Sequence, residues 1–194
     1  MEQLLSENEY EIYEDEIMNQ KFSKVGELIK KYPNDIKILF AEIMPYVFGN
    51  DVKELLILFI NNGININDKF KFESQNDPPL TYLEWAAQNR LIDNIEIAFE
   101  FGADPNINSL DNMVLIDFVI QGRRALDVYS LENIYDTLIA FDKLGIKKVM
   151  HNWVYNDFSE IIVNSINNGD VNEKNKKLYD DIMSILDTYE GIQT

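Results

Sequence analysis

At 194 residues the chain is long enough for one domain with a substantial core, or for one short array of repeats. Its 46% apolar content excludes a disordered chain, and the absence of cysteine excludes a disulfide framework and a thiolate zinc site. A net charge of −17 repels phosphate backbones and anionic lipid surfaces at long range and attracts basic proteins.

The N-terminal stretch carries Glu2, Glu7, Glu9, Glu11, Glu14, Asp15 and Glu16 before any Lys or Arg. That is the reverse of a secretory signal, which needs a basic start and then an apolar run. Tyr10, Tyr13 and Ile17 mark the inner face of an acidic helix there. A first unit, over 10–34, places Val25, Leu28 and Ile29 on the buried side of its second helix. It ends at Pro33-Asn34, where Pro cannot take positive φ, so other turn chemistry must stop the helix.

A second unit, over 43–67, sets Leu55, Leu56, Leu58 and Phe59 ahead of Gly63, and its first helix leaves Gly49 and Asn50 exposed. Apolar runs such as Leu55–Ile60 are too short to cross a bilayer. A long loop follows, Asn65–Thr81, which Pro78-Pro79 keeps from being helical throughout. A third unit, over 81–107, has Leu83, Ala86 and Ala87 inside its first helix, with Gln88 and Asn89 exposed. Ile95, Ile97 and Ala98 lie inside its second helix, while Asp93, Glu96 and Glu100 share the outer face. A fourth unit, over 112–148, starts with a helix over Met113–Ile120. It has an insertion over Gln121–Glu132, and it sets Thr137, Leu138, Ala140 and Phe141 ahead of Gly145. In the last part, 149–194, Ser159–Asn172 reads as another second helix and its turn, at Gly169. Lys176–Tyr189 reads as an amphipathic cap with Leu178, Ile182, Ile185, Leu186 and Tyr189 on one stripe.

The segment TYLEWAAQNRLIDNIEIAFEFGADPN, 81–106, resembles one ankyrin repeat. Its apolar positions match the two helices of that repeat, and Gly102-Ala103-Asp104-Pro105-Asn106 matches its closing turn. Laying the rest of the chain on it gives anchors at Pro33, Gly63, Gly102 and Gly145, spaced around the roughly 33 residues expected of the family. The match is good over 81–106 and moderate over 44–67, and elsewhere it holds by offset alone. The chain departs from the family at Tyr82 (usually Pro), Glu84 (usually His) and Arg90-Leu91 (usually Gly-His). Those motifs fix turns and hydrogen bonds between repeats, so local geometry is where differences are expected. The resemblance implies an all-α, single-domain α-solenoid of stacked helix pairs with helical caps, since neither helix of a pair buries its apolar face alone. A non-ankyrin α-solenoid is the structural alternative.

The resemblance also implies protein binding rather than catalysis, through the concave side formed by hairpin tips and exposed first-helix positions. Carried onto this chain, the contact residues are Asn50, Gln88 and Asn89 on first helices, Phe70, Phe72, Glu73 and Asp77 in the long loop, Tyr82 and Trp85 beside it, and Asp104 and Asp111 flanking a tip. Phe70 and Phe72 read equally as contact anchors or as residues tucked under the loop.

For chemistry the pattern is negative. His151 is the single histidine and reads as packed or superficial beside Trp153 and Tyr155. No phosphate loop or EF-hand order occurs, and no enzyme activity, metal, cofactor, nucleic acid or membrane partner is expected. The expected role is a cytoplasmic binding protein for a basic partner. It is similar to bacterial immunity proteins that cover the active site of a toxin such as a nuclease. Ile-, Asn- and Lys-rich usage points to an AT-rich, bacterial gene. Two alternatives stand beside it. One is an adaptor or effector that recognises a non-basic protein through Phe70, Phe72 and Trp85. The other is a hydrolase hidden in a helical array.

Overall fold

In a computed structural model, residues 22–47, 50–72, 78–107, 110, 113–122, 128–167 and 173–192 are described. Nine α-helices and two small two-stranded sheets cover most of them, so the described chain is mainly helical, in line with the all-α expectation. The expected N-terminal helix with Tyr10, Tyr13 and Ile17, the turn at Gly169, and Gly49 lie outside the described residues.

α1 (Ser23–Lys31) buries Val25, Leu28 and Ile29 and ends on Lys30-Lys31, which complement the negative end of its dipole. It stops at Tyr32, because the residue before Pro33 is pushed out of the helical region. α2 (Ile36–Ile43) buries Leu39, Phe40, Ala41 and Ile43 and passes into a 3-10 turn over Met44–Tyr46. This corrects the expected second unit. Met44–Tyr46 is a 3-10 turn with Pro45 near its start rather than the beginning of an α-helix, since Pro45 lacks the N–H that a helix interior uses. Asn50 is the first residue of the next helix, α3 (Asn50–Asn61), rather than part of a preceding one. α3 buries Val52, Leu55, Leu56 and Phe59 at helical spacing.

The long loop is partly a hairpin. β1 (Lys69–Phe70) pairs antiparallel with β2 (Leu80–Thr81), with Phe70 opposite Leu80. α4 (Tyr82–Gln88) and α5 (Ile92–Glu100) form the next helix pair. α6 (Leu115–Gln121) starts two residues later than its periodicity suggests, and α7 (Val128–Lys143) reaches back into the expected insertion. β3 (Val149–His151) then leads into α8 (Asn152–Asn167), which begins well before Ser159. α9 (Glu173–Leu186) is followed by β4 (Glu190–Ile192), which lies parallel to β3, with Met150 opposite Gly191. A Cβ at Gly191 would meet the exposed Asn152 side chain at the start of α8, which would have to turn aside.

The helices fall into two rows. α4, α6 and α8 touch in succession, as do α3, α5, α7 and α9, and α4/α5, α6/α7 and α8/α9 also pack as pairs. At the α2 end the core is aromatic. Phe40 meets Phe59, Phe70 and Tyr82 at centroid distances of 5.2, 4.5 and 5.6 Å, and Phe72 lies 5.1 Å from Trp85. Such offset and edge contacts add to the burial of area.

Candidate functional site

Three turns close helix pairs by the same device. Gly63, Gly102 and Gly145 hold φ at 103°, 81° and 69°, a region that penalises any Cβ. Each glycine N–H donates three residues back, to the carbonyls of Ile60, Phe99 and Asp142. Each following N–H donates five back, from Ile64, Ala103 and Ile146 to Phe59, Ala98 and Phe141. These paired bonds satisfy the otherwise orphaned carbonyls of the helix end.

Beyond the glycine the turns differ. In the first, Asn65 Oδ1 accepts the Asn67 N–H at 3.1 Å; in the second, Asp104 Oδ1 accepts the Asn106 N–H at 2.9 Å and its Nδ2–H at 2.8 Å. The Asn106 N–H, then its amide group, hold the Asp104 carboxyl below the usual carboxylate range, so this exposed group is anionic at neutral pH. The third turn has Lys147 and Val149 in place of these Asx residues, and Lys148 between them pairs with Asp142 at 2.6 Å.

The first two turns are tied together. Asn67 Oδ1 accepts the Asp104 N–H at 2.8 Å, and Asn67 Nδ2 donates to the Gly102 carbonyl at 3.1 Å. Asn106, at the same offset one turn later, bends back onto its own Asp104 instead. Between the second and third turns a recess of about 220 Å3 opens. Pro105, Val114, Leu115, Ile146 and Ile192 make its apolar walls, with Asn106 and Lys147 as polar lining. The volume falls below the roughly 300–1,000 Å3 of small-molecule pockets and suits one or two side chains.

A buried polar pair positions the walls. Asp117, third residue of α6, accepts the Val114 N–H at 2.9 Å and the His151 N–H at 3.1 Å, and its Oδ2 faces His151 Nδ1 at 2.6 Å. Asp117 is fully buried and His151 nearly so. The carboxylate thereby fixes Val114 against β3, and β3 in turn carries β4 with Ile192.

The departures from the ankyrin pattern turn out to be structural. Thr81 and Glu84 form a capping box: Glu84 Oε2 accepts the Thr81 N–H at 2.7 Å, and Thr81 Oγ1 accepts the Glu84 N–H at 3.2 Å. Tyr82 is buried, its hydroxyl accepting Asn94 Nδ2–H at 2.8 Å. Arg90 takes φ 55°, and its Nε donates to the Val119 carbonyl of α6 at 2.9 Å.

The residues expected to contact a partner are not brought together. Phe70, Phe72, Tyr82 and Trp85 belong to the aromatic core, each at most 4% exposed, so as contact anchors they are corrected: burying these large rings holds the hairpin down. Asn89 caps its own helix by donating to the Trp85 carbonyl at 2.9 Å. Gln88 and Asn89 stand at the C-terminal end of α4. Asp104 is exposed at the tip. Glu73, Asp77 and Asp111 lie outside the described residues. Asp93, Glu96 and Glu100 are exposed on α5, and Glu100 pairs with Lys53 of α3. The recess residues Val114, Ile146 and Ile192 were missed. The available signal was the change from Asn-x-Asn and Asp-Pro-Asn after the first two glycines to Lys-Lys-Val after the third.

Among the described residues no group of three or more His, Cys, Asp or Glu is placed to hold a metal ion, and no helix is long and apolar enough to cross a membrane. What the described residues bring together at the second turn is an exposed charge beside a recess of side-chain size. No family model, no curated protein and no solved structure matches the chain.

Proposed function

We propose that the chain is a non-catalytic protein-binding module, a degenerate ankyrin-like α-solenoid with helical caps, which engages a basic protein through its row of turns. The observation that carries this reading is the second turn, where an exposed, anionic Asp104 stands beside an apolar recess of side-chain size. A charged rim around an apolar seat is how specific interfaces are commonly built. The overall charge of −17 would speed association with a cationic surface. A cytoplasmic immunity protein that covers the basic active site of a toxin such as a nuclease is the finer form of the same proposal. The adaptor alternative loses its support, because Phe70, Phe72 and Trp85 are interior.

The test is calorimetry against the basic product of a neighbouring toxin gene, at roughly 50 and 500 mM salt. The expected result is tight binding that weakens at least tenfold at the higher salt, together with rescue of growth on co-expression. Salt-independent binding, or no complex at low salt, would overturn it.

A further inference from the structure

The tie between the first two turns shows what chemistry a turn of this kind recognises. Gly102 offers a carbonyl and Asp104 an N–H, and the Asn67 carboxamide satisfies both. A carbonyl at one residue and an N–H two residues on is the pair that one residue of a parallel strand meets in its neighbour. The Asn67 side chain therefore imitates an extended residue. The third turn has the same closing bonds and the same sign of φ at its glycine, so the Gly145 carbonyl and the Lys147 N–H hold the matching sequence positions; beyond them the turns differ, the Val149 N–H reaching the Lys147 carbonyl where the Ile107 N–H reaches Asp104. Asn106 does not reach them, and the recess lies there instead, lined by Asn106, Ile146 and Lys147.

We infer that this recess seats an extended peptide segment of the partner. One of its residues pairs its N–H and C=O with the Gly145 carbonyl and the Lys147 N–H, and an adjacent aliphatic side chain fills the space between Val114, Ile146 and Ile192. The inference rests on the binding-module reading and names the contact within it. The occupant is a polypeptide rather than a small metabolite because the donor–acceptor spacing is that of main chain and the volume is that of a side chain.

The probe is the peptide acetyl-Lys-Val-Leu-Val-Lys-amide, titrated into the whole chain by two-dimensional NMR at about 500 mM salt, where charge attraction is screened. Saturable amide shifts are expected at Val114, Ile146, Lys147 and Val149, with millimolar affinity. N-methylation of the central leucine, which removes one N–H, should weaken binding about tenfold. Val114→Phe and Ile192→Phe should fill the recess and abolish the shifts while the helical circular dichroism is kept. Two variants are used so that one unfolded protein does not decide the matter. Absent or displaced shifts, equal binding of the N-methyl peptide, or unchanged binding by folded filled variants would overturn the inference. Because charge is screened here, the peptide result stands apart from the salt-dependent partner assay: either can fail while the other succeeds.

Discussion

Asp117 holds His151 twice, by its backbone N–H at 3.1 Å and by its ring Nδ1 at 2.6 Å, across 34 positions of sequence. Both groups are buried, so each depends on the other for the hydrogen bonding that water would supply.

Removing either partner strands the other. Asp117→Ala and His151→Ala should each lose about 1–3 kcal/mol of stability, the cost of an unsatisfied buried polar group, read as a lower urea midpoint. The double variant should lose clearly less than the two singles combined. Additive losses would mean that the two groups do not interact.

Arg90 combines a disfavoured backbone with a useful side chain. Its left-handed φ costs about 1 kcal/mol relative to glycine, while its buried bond to Val119 contributes about 1.5–3 kcal/mol. Arg90→Gly should therefore destabilise by about 1 kcal/mol, and Arg90→Ala by about 1 kcal/mol more, because Ala keeps the strain. Thermal unfolding of the two variants separates the backbone effect from the side-chain effect.

Three tyrosines resist ionisation. Burial pushes Tyr82 well above its ordinary range and pushes Tyr189 up to about 12. The hydrogen bond from Tyr155 to Asp187, at 2.6 Å, is the main reason that Tyr155 also rises to about 12. The folded state therefore holds these protons more tightly than the unfolded chain, whose tyrosines titrate near 10. The contribution of Tyr155 and Tyr189 is fully present below about pH 10 and is lost as pH climbs from about 10 to 12, while that of Tyr82 persists further up. Urea midpoints taken across that window should fall steeply, and Tyr189→Phe should make the fall shallower.

The Asn67 tie should be local in effect. Asn67→Ala removes two exposed hydrogen bonds, a loss of about 1 kcal/mol. Hydrogen exchange should quicken at the Asp104 amide while the α4 core stays protected. Uniform acceleration throughout the chain would show that the tie supports the whole fold.

What could be read from sequence was whatever repeats locally. The glycines at 63, 102 and 145 announced helix ends, and all three hold the positive φ that those ends need. Leu55, Leu56 and Phe59, Ile95 and Ala98, and Leu138 and Phe141 are buried ahead of them. Pro45 puts a 3-10 turn where the second unit was expected to open with a helix. Phe70 and Phe72 could not be resolved, because alternating aromatics in a polar loop look alike whether they face a core or a partner. The Asp117–His151 pair left no trace, since nothing near either residue specifies a contact so distant in sequence. The recess was invisible for the opposite reason: it exists where an expected side-chain tie is missing.

The parallel pairing of β3 with β4 joins positions about forty residues apart. During synthesis the earlier helix pairs can stack as they leave the ribosome, domain portions nearer the N-terminus first. Val149–His151 must then wait for Glu190–Ile192, and closing so long a segment carries its own entropic cost. The wall containing Ile192 is thus set after the helix pairs, so a nascent chain would complete the recess only once Glu190–Ile192 has emerged.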